Sequence, residues 1–185
     1  MFIKIIVMKL KKGDKLPEII LPSIDGTEFN TKKLLGKKIL LTFYRFARCP
    51  MCNLRINELR KRESEFGKNF SVVGIFHSDT NNLAPAMERH DVSFHFLADK
   101  NYEYFSKYDV KTSVWGLIKA SIFRISRFNR ALMKGYLPFP INGYFNILPV
   151  DILINEEGII NRVKYANDIG NHLPIDDVID FSKSK

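Results

Sequence analysis

Two cysteines separated by two residues are the side chains of this sequence best suited to covalent chemistry. Cys49 and Cys52 flank Pro50 and Met51, and they are the only cysteines among the 185 residues. A Cys-x-x-Cys pair that follows a strand and opens a helix is typical of a reversible dithiol/disulfide centre. Free N–H groups and the dipole of that helix favour a thiolate at its first turn. The pair therefore predicts redox chemistry, with Cys49 as the nucleophile and Cys52 as the residue that resolves the intermediate.

Positive charge surrounds this pair. Arg48 immediately precedes Cys49, and Arg45 lies four residues before it, at the end of an apolar run. A cation beside a cysteine favours the thiolate and lowers the thiol pKa from about 8.5 toward neutrality. We expect Arg45 to hold the thiolate, and Arg48 to contact the substrate. The alternative for Arg45 is a surface charge at a strand end.

Two alternatives to redox chemistry remain open for the cysteines. They could be small buried core residues, or they could supply half of a Cys₂His₂ zinc site. The histidines that would complete such a site are His77, His90, His95 and His172. Of these, His90 and His95 alone have the spacing that zinc sites favour, and they straddle a predicted helix–strand junction. We expect no metal and no organic cofactor.

The elements that must position the cysteines alternate between strand and helix. The apolar run from Ile39 to Arg45 predicts a central strand that is buried on both faces. Pro50 suits the first position of the next helix, which should extend to Phe66. Further strands are predicted over residues 18–21, 27–29, 70–77, 94–98, 149–154 and 159–165, and further helices over 81–90, 99–108 and from 174. This order indicates an α/β fold with a mixed central sheet.

Residues 111–150 do not fit that alternation, because they are basic throughout and contain no acidic residue. Apolar residues from Trp115 to Leu132 recur every three or four positions, which predicts one amphipathic helix that Gly135 ends. The cations of this segment are Lys111, Lys119, Arg124, Arg127, Arg130 and Lys134. Three interpretations are open: a cover packed on the domain, a partner or dimer surface, or a helix that contacts anionic lipid.

Composition limits the class of protein. A chain of 185 residues suits one domain, and a net charge of +9 favours an anionic partner or simply keeps the protein in solution. No run approaches the roughly 20 apolar residues of a membrane span, and no nucleic-acid-binding motif is present. Residues 1–7 are too short for a secretory signal and could be an extra start or a short added strand. We therefore expect a cytoplasmic protein, in a reducing compartment.

Several segments, in this order, resemble the peroxiredoxin-like branch of the alkyl hydroperoxide reductase/thiol-specific antioxidant (AhpC/TSA) family, within the thioredoxin-fold superfamily. They are residues 13–17 with 24–26, residues 43–52, residues 96–99 with 108–110, residues 151–158 and residues 165–174. The resemblance implies a thioredoxin-like fold with an N-terminal β extension. It divides the chain into an N-terminal extension, residues 1–11, and a domain, residues 12–185, with a basic helical insertion at about 111–148.

The resemblance also implies an activity. It indicates a thiol–disulfide oxidoreductase, or antioxidant protein, that reduces hydroperoxides or protein disulfides through Cys49 and Cys52. A thioredoxin-type reductant would return the dithiol. Arg45 matches a family position, and Pro149 matches the cis-proline that faces the cysteines in thioredoxin folds, where it could bind an extended substrate. An ordinary trans proline that opens a strand is the alternative.

Three polar residues are weaker candidates. Asp168 and His172 match the closing segment of the family, where His172 could donate a proton or simply occupy a turn. His77 follows an apolar strand at the edge of the sheet where α/β sites gather, but it could equally be a satisfied polar residue.

The sequence departs from the usual family motif Pro-x-x-x-Thr-x-x-Cys, in which a hydroxyl helps to align the peroxide. Thr42 stands at the proline position and Phe46 at the threonine position. A second hypothesis is therefore a redox-sensing binding protein, whose dithiol state gates docking by the basic helix with negligible turnover. Further partner predictions are a homodimer and, more weakly, an anionic membrane surface. Nucleic acid is not expected.

Overall fold

A five-stranded mixed sheet lies at the centre of the computed structural model, which describes residues 7–16 and 18–184. The sheet order is β5-β4-β3-β6-β7, and a separate hairpin pairs β1 with β2. The strands are β1 Ile20–Pro22, β2 Glu28–Asn30, β3 Lys38–Phe43, β4 Phe70–Phe76, β5 His95–Ala98, β6 Val150–Ile154 and β7 Ile160–Tyr165. Strands β3, β4 and β5 run parallel, whereas β6 and β7 join antiparallel at the other edge. The added strand considered for residues 1–7 falls, apart from Val7, outside the described residues.

Six α-helices accompany the sheet in the described part of the chain. They are α1 Pro50–Lys61, α2 Thr80–Glu88, α3 Glu103–Lys107, α4 Val114–Phe123, α5 Ile125–Met133 and α6 Ile175–Lys183. Short 3₁₀ turns follow β2 and α1. The predicted alternation of strand and helix is confirmed, including the β extension and the closing hairpin with its terminal helix.

The central strand β3 separates two layers of core. Leu41 and Phe43 belong to one apolar cluster, whereas Leu40 and Tyr44 belong to the other, which also contains both cysteines. Successive side chains of a strand point to opposite faces, so every residue of β3 is buried. The predicted burial of this strand on both faces is therefore correct. Strand β3 ends at the carboxyl edge of the parallel strands, so the loop before Cys49 lies at that edge.

The helix after the cysteines is shorter than predicted and is buried along most of its length. It ends at Lys61 rather than Phe66, because Arg62 leaves the helical conformation and pairs with Glu65 and Asp176. Even Arg55 is buried, and its Nη2 donates to the Leu173 carbonyl at 2.8 Å. The face of α1 that carries Arg55 therefore packs on the segment before α6 instead of facing water.

The single amphipathic helix predicted between Trp115 and Leu132 is wrong. The structure has two helices, α4 and α5, separated at Arg124, whose backbone is not helical (φ −121°). The Arg124 side chain turns inward to form a bidentate pair with Asp168, at 2.7 and 3.0 Å. The predicted apolar face of α4, including Trp115 and Ile122, is exposed. The boundaries of the insertion, about 111–148, stay a prediction.

In the described ranges, 7–16 and 18–184, none of the helices combines the length and the apolar character needed to cross a bilayer.

Candidate active site

Both cysteines lie where the loop after β3 enters α1. Cys49 is the N-cap of α1, and its Sγ accepts a hydrogen bond from the Cys52 N–H at 3.1 Å. Pro50 at the first helical position has no N–H to satisfy there. Both cysteines are free thiols, and both are buried. The helix end therefore presents a backbone donor to the Cys49 sulfur, as the sequence predicts.

Arg45 reaches the same sulfur from the end of β3. Its Nη2 donates to Cys49 Sγ at 2.8 Å, and its Nη1 donates to the Phe145 carbonyl at 2.9 Å. The side chain is buried, so Arg45 is not a surface charge. Two donors, one of them cationic, thus converge on one sulfur, and charge-assisted hydrogen bonds of this kind favour a thiolate.

The two thiols share their protons. Burial and the hydrogen bond with Cys52 raise the pKa of the Cys49 thiol well above its ordinary value, although Arg45 opposes this. Burial also disfavours ionisation of Cys52, but the hydrogen bond with Cys49 and the charge of Arg45 lower the pKa of Cys52 to about 6. The first proton to leave belongs to the pair rather than to one sulfur. When the negative charge of the pair lies on Cys49, two donors stabilise it, the Arg45 guanidinium and the Cys52 N–H.

Asn53 braces the loop that carries Cys49, and sequence reasoning missed it. Its Nδ2 donates to the carbonyls of Ala47 and Cys49, each at 2.9 Å. Its Oδ1 lies 2.8 Å from His90 Nε2, which therefore acts as the donor. Burial lowers the pKa of His90 to about 4, so the imidazole is neutral. A polar residue inside the buried face of a predicted helix was the available signal.

A second polar cluster joins β3 and β6 to the segment before α6. The Asp151 carboxylate accepts from Thr42 Oγ1 at 2.9 Å and from the Leu173 N–H at 2.6 Å, and it lies 3.0 Å from His172 Nδ1. Burial alone would raise the pKa of Asp151, but His172, Arg55 and the Leu173 N–H lower it to about 2. His172 is buried here, with its ring 5.6 Å from the ring of Tyr44, rather than exposed in a turn.

An apolar cavity of about 310 Å³ leads from the surface to Arg45. Its inner wall includes Phe46, Pro50 and Met51, next to the cysteines. Its outer walls come from α4, α5 and the following loop, and they include Leu117, Ile125, Phe128, Pro138, Ile141 and Phe145. Phe46 is therefore a wall of the cavity, together with Arg45, which donates to the Cys49 sulfur.

Two predicted site residues are placed differently from expectation. Arg48 is exposed, and in the described residues no hydrogen bond or ion pair joins it to the cysteines. The peptide bond before Pro149 is trans, so the predicted cis-proline is wrong; the cis bond of the described chain is Phe139–Pro140. The chain enters β6 extended, directly after a bridge between Thr112 and Ile147, and Pro149 O accepts from the Ala166 N–H. Substrate contact by either residue stays a prediction.

The remaining polar candidates have structural partners. His77 Nδ1 accepts from the Tyr144 N–H at 2.9 Å, and Asp168 binds Arg124 and the Gly170 N–H. His95, the first residue of β5, packs against the ring of Phe29, whereas His90 follows α2 and hydrogen-bonds to Asn53. Across the described residues, no three histidine, cysteine or acidic side chains are grouped as metal ligands would be.

Comparison with known proteins places this site in a family. The sequence model of the AhpC/TSA family matches residues 12–163. The chain belongs to the AhpC/TSA family. Peroxiredoxin Bcp of Escherichia coli (strain K12) is 30% identical over 120 residues, which cover 63% of this chain and 77% of that protein. A Bcp protein of Buchnera aphidicola subsp. Schizaphis graminum is 28% identical over 177 residues, which cover 95% of this chain and 96% of that protein.

Solved structures agree with this AhpC/TSA assignment at the level of fold. Peroxidoxin BcpB from Mycobacterium tuberculosis has a TM-score of 0.68 at 18% identity, over 94% of this chain and 97% of that chain. The thioredoxin-like α/β fold predicted from the sequence is thus confirmed, and so is an oxidoreductase of the peroxiredoxin-like class.

Proposed function

We propose that this protein reduces hydroperoxides with Cys49 as the attacking thiolate and Cys52 as the resolving thiol. One observation carries the proposal: the Arg45 guanidinium and the Cys52 N–H both donate to Cys49 Sγ, at 2.8 and 3.1 Å. The names of the relatives, peroxiredoxin Bcp and peroxidoxin BcpB, support the same substrate class.

The first step oxidises Cys49 and reduces the peroxide by two electrons. The thiolate attacks one peroxide oxygen, a sulfur–oxygen bond forms, and the oxygen–oxygen bond breaks. The leaving oxygen takes up one proton and departs as an alcohol, or as water when the substrate is hydrogen peroxide. Arg45 Nε is buried without a hydrogen-bond partner in the described part of the chain, so a guanidinium donor remains for the oxygen on which charge develops.

The second step joins the cysteines. Cys52, one helical turn after Cys49, attacks the sulfenic sulfur; the sulfur–oxygen bond breaks, and hydroxide takes a proton to leave as water. The product is a Cys49–Cys52 disulfide. A thioredoxin-type dithiol then reduces this bond by two successive thiol–disulfide exchanges, and its own cysteines leave as a disulfide.

The cavity compensates in part for the missing family hydroxyl. Phe46 lies at the position where a threonine would help to align the peroxide, so alignment falls to Arg45 and to the fit of the substrate. The walls beside Arg45 are mostly apolar, and they suit the alkyl group of an organic hydroperoxide better than the small polar hydrogen peroxide.

A redox-sensing binding protein is the second candidate function. In that role the protein would bind a partner in one state of its thiols and not in the other. Both thiols are buried, so a small hydroperoxide reaches the Cys49 sulfur more readily than a protein disulfide does, and exchange with thioredoxin requires the start of α1 to open first. A homodimer stays a prediction. The exposed apolar side chains of α4 are the feature of the described surface that favours a partner of any kind.

The test is steady-state turnover of cumene hydroperoxide with NADPH, thioredoxin reductase and thioredoxin. We expect turnover by the wild type and none by Cys49→Ser. Cys52→Ser should lose thioredoxin-dependent turnover but keep one equivalent of peroxide consumption. A wild type that forms the disulfide once and fails to turn over would instead support the sensor.

A further inference from the structure

Exposed apolar side chains are concentrated in one stretch of this chain. Between residues 114 and 145, twelve large apolar side chains are exposed, whereas the rest of the described chain exposes Val7, Ile20 and Leu35. Apolar residues scattered singly over a surface are normal, but a cluster marks a place where another surface binds.

Helix α4 packs with its small residues inward and its large residues outward. Gly116 and Ala120 are buried, and a Cβ on Gly116 would lie 2.6 Å from Leu148 Cδ2. Trp115 and Phe123 are 79% and 77% exposed. A helix that only covers a domain buries its large apolar side chains, so α4 is arranged for contact with something outside the fold.

Every charged residue of the segment that carries this helix is positive. Lys119 lies within the apolar stripe of α4, one turn after Trp115, and residues 111–150 contain no acid. Arg124 and Arg127 pair inward with Asp168 and Glu58, but the exposed cations Lys119, Arg130 and Lys134 have no ion-pair partner in the described residues. Their charge is therefore available to an external anion.

The apolar surface extends to the mouth of the cavity at Arg45. Leu117 and Ser121 of α4 line the cavity together with Pro138, Ile141 and Phe145 of the loop after α5. Ile141 and Phe145 are themselves about half exposed. The rim of the cavity thus belongs to the same surface as the stripe of α4.

We infer that α4 and the cavity rim bind the surface of an anionic phospholipid bilayer. Trp115 and Phe123 would enter the interface between headgroups and acyl chains, and Lys119 would meet anionic headgroups. A second copy of the chain fits less well, because a twofold contact would bring two acid-free cationic segments together. The inference concerns a docking surface and does not depend on the thiol chemistry.

The protein carries its own reporter for this contact. Trp115 is the single tryptophan of the chain, so all tryptophan fluorescence comes from α4. We expect its emission to shift to the blue when the full chain meets vesicles that contain phosphatidylglycerol. Vesicles of phosphatidylcholine alone should give little shift, and added salt should weaken the response, because headgroup attraction is screened within a Debye length.

Substitutions separate the apolar and the cationic contributions in vesicle co-sedimentation. Phe123→Ser with Ile122→Ser should lower binding at least tenfold, and Lys119→Ala should lower it about fivefold. Leu35→Ser is the matched control, since Leu35 is an exposed apolar residue elsewhere on the molecule, and it should bind like the wild type. Cys49→Ser should also bind normally, which distinguishes this surface from the proposed catalysis.

Three outcomes would overturn the inference. The first is Trp115 emission that does not respond to anionic vesicles. The second is equal binding to vesicles by the α4 variants and the Leu35 control. A blue shift that depends on protein concentration without lipid, with a doubling of molecular mass, would show that a second copy covers the surface instead.

Discussion

At the scale of single residues, the proposed chemistry depends most on Arg45. It is buried, it donates to the Cys49 sulfur, and its other terminal nitrogen holds the Phe145 carbonyl. A hydrogen bond to a charged group contributes about 1.5–3 kcal/mol, which corresponds to roughly 10- to 150-fold in rate.

We therefore expect Arg45→Met to slow the reaction of reduced protein with hydroperoxide by about 10- to 100-fold. The methionine keeps apolar volume but removes the charge, so the pH at which the thiol pair ionises should also rise. Arg45→Lys should keep part of the rate, because it keeps the charge without the fork of donors. Stopped-flow kinetics and the pH dependence of iodoacetamide alkylation measure both effects.

Arg60→Met is the control for this prediction, since Arg60 is an exposed cation on α1, the helix that Cys49 caps. It should change the rate by less than about twofold. Equal losses in the Arg45 and Arg60 variants would mean that the net charge of the helix matters, rather than the contact at Cys49.

Sequence patterns indicated the candidate reacting residues better than the residues that support them. A Cys-x-x-Cys pair after an apolar run strongly indicates redox chemistry, so Cys49, Cys52 and Arg45 could be selected from their types and spacing. Asn53 gave only a weak signal and Asp151 gave none, because their role lies in contacts with His90 and His172, which are distant in the chain. For Arg48 the sequence misled in the other direction. We predicted a role at the site because Arg48 precedes Cys49, but its side chain is exposed to solvent.

At the scale of elements, the loop between α5 and β6 is held over the site at Gly143. Its φ of +135° is a conformation that glycine alone adopts readily, and a Cβ there would lie 2.4 Å from the His77 carbonyl oxygen. The neighbouring Tyr144 N–H donates a hydrogen bond to His77 Nδ1, and the Phe145 carbonyl accepts one from Arg45 Nη1. The glycine therefore lets the loop approach the end of β4 closely enough to complete the cavity.

Gly143→Ala should displace this loop, because the methyl group collides with backbone rather than with a flexible side chain. We expect a loss of stability of about 2–4 kcal/mol in thermal or urea unfolding, and faster proteolysis between α5 and β6. Gly135→Ala is the matched control: its φ is also positive, but its nearest neighbour atom is 3.9 Å away. Gly135→Ala should lower the free energy of unfolding by only about 1–2 kcal/mol. Equal costs would show that the approach to His77 is not a constraint.

Element type and order followed from periodicity, but the arrangement of α4 and α5 did not. A spacing of three and four residues indicates a helix and an apolar face, but it leaves open whether that face packs on the domain, meets a partner or contacts lipid. Arg124 breaks the helix by pairing with Asp168, 44 residues away, and the break leaves Trp115 outside. Periodicity carries no information about such a distant partner.

At the scale of the whole molecule, buried histidines make stability depend on pH. Burial lowers the pKa of His77, His90 and His95, and that of His90 falls to about 4 from an ordinary value of 6.5. As the pH falls, a group whose pKa is lowered by folding takes up its proton in the unfolded chain at a higher pH than in the folded protein. Its contribution is therefore complete above about pH 6.5 and is lost as the pH falls toward 4.

We expect the free energy of unfolding, measured with urea, to be roughly 2–3 kcal/mol lower at about pH 4 than at pH 7 because of His90 alone. His90→Gln keeps a donor for Asn53 but does not titrate, so it should flatten this dependence. Below about pH 4 a further loss should come from Asp151, whose pKa is lowered to about 2. A wild type and a His90→Gln variant with parallel pH profiles would contradict this assignment.

The central claim is that Cys49 is the sulfur that peroxide oxidises, and one trapping experiment tests it most directly. Cys52→Ser, reduced and then treated with one equivalent of cumene hydroperoxide in the presence of dimedone, cannot close a disulfide. We expect a single dimedone adduct, located on Cys49 by mass spectrometry, and no such adduct in Cys49→Ser. An adduct on Cys52 in Cys49→Ser that forms as fast as the one on Cys49 would contradict the assignment of roles, and no adduct in either variant would contradict peroxide reduction itself.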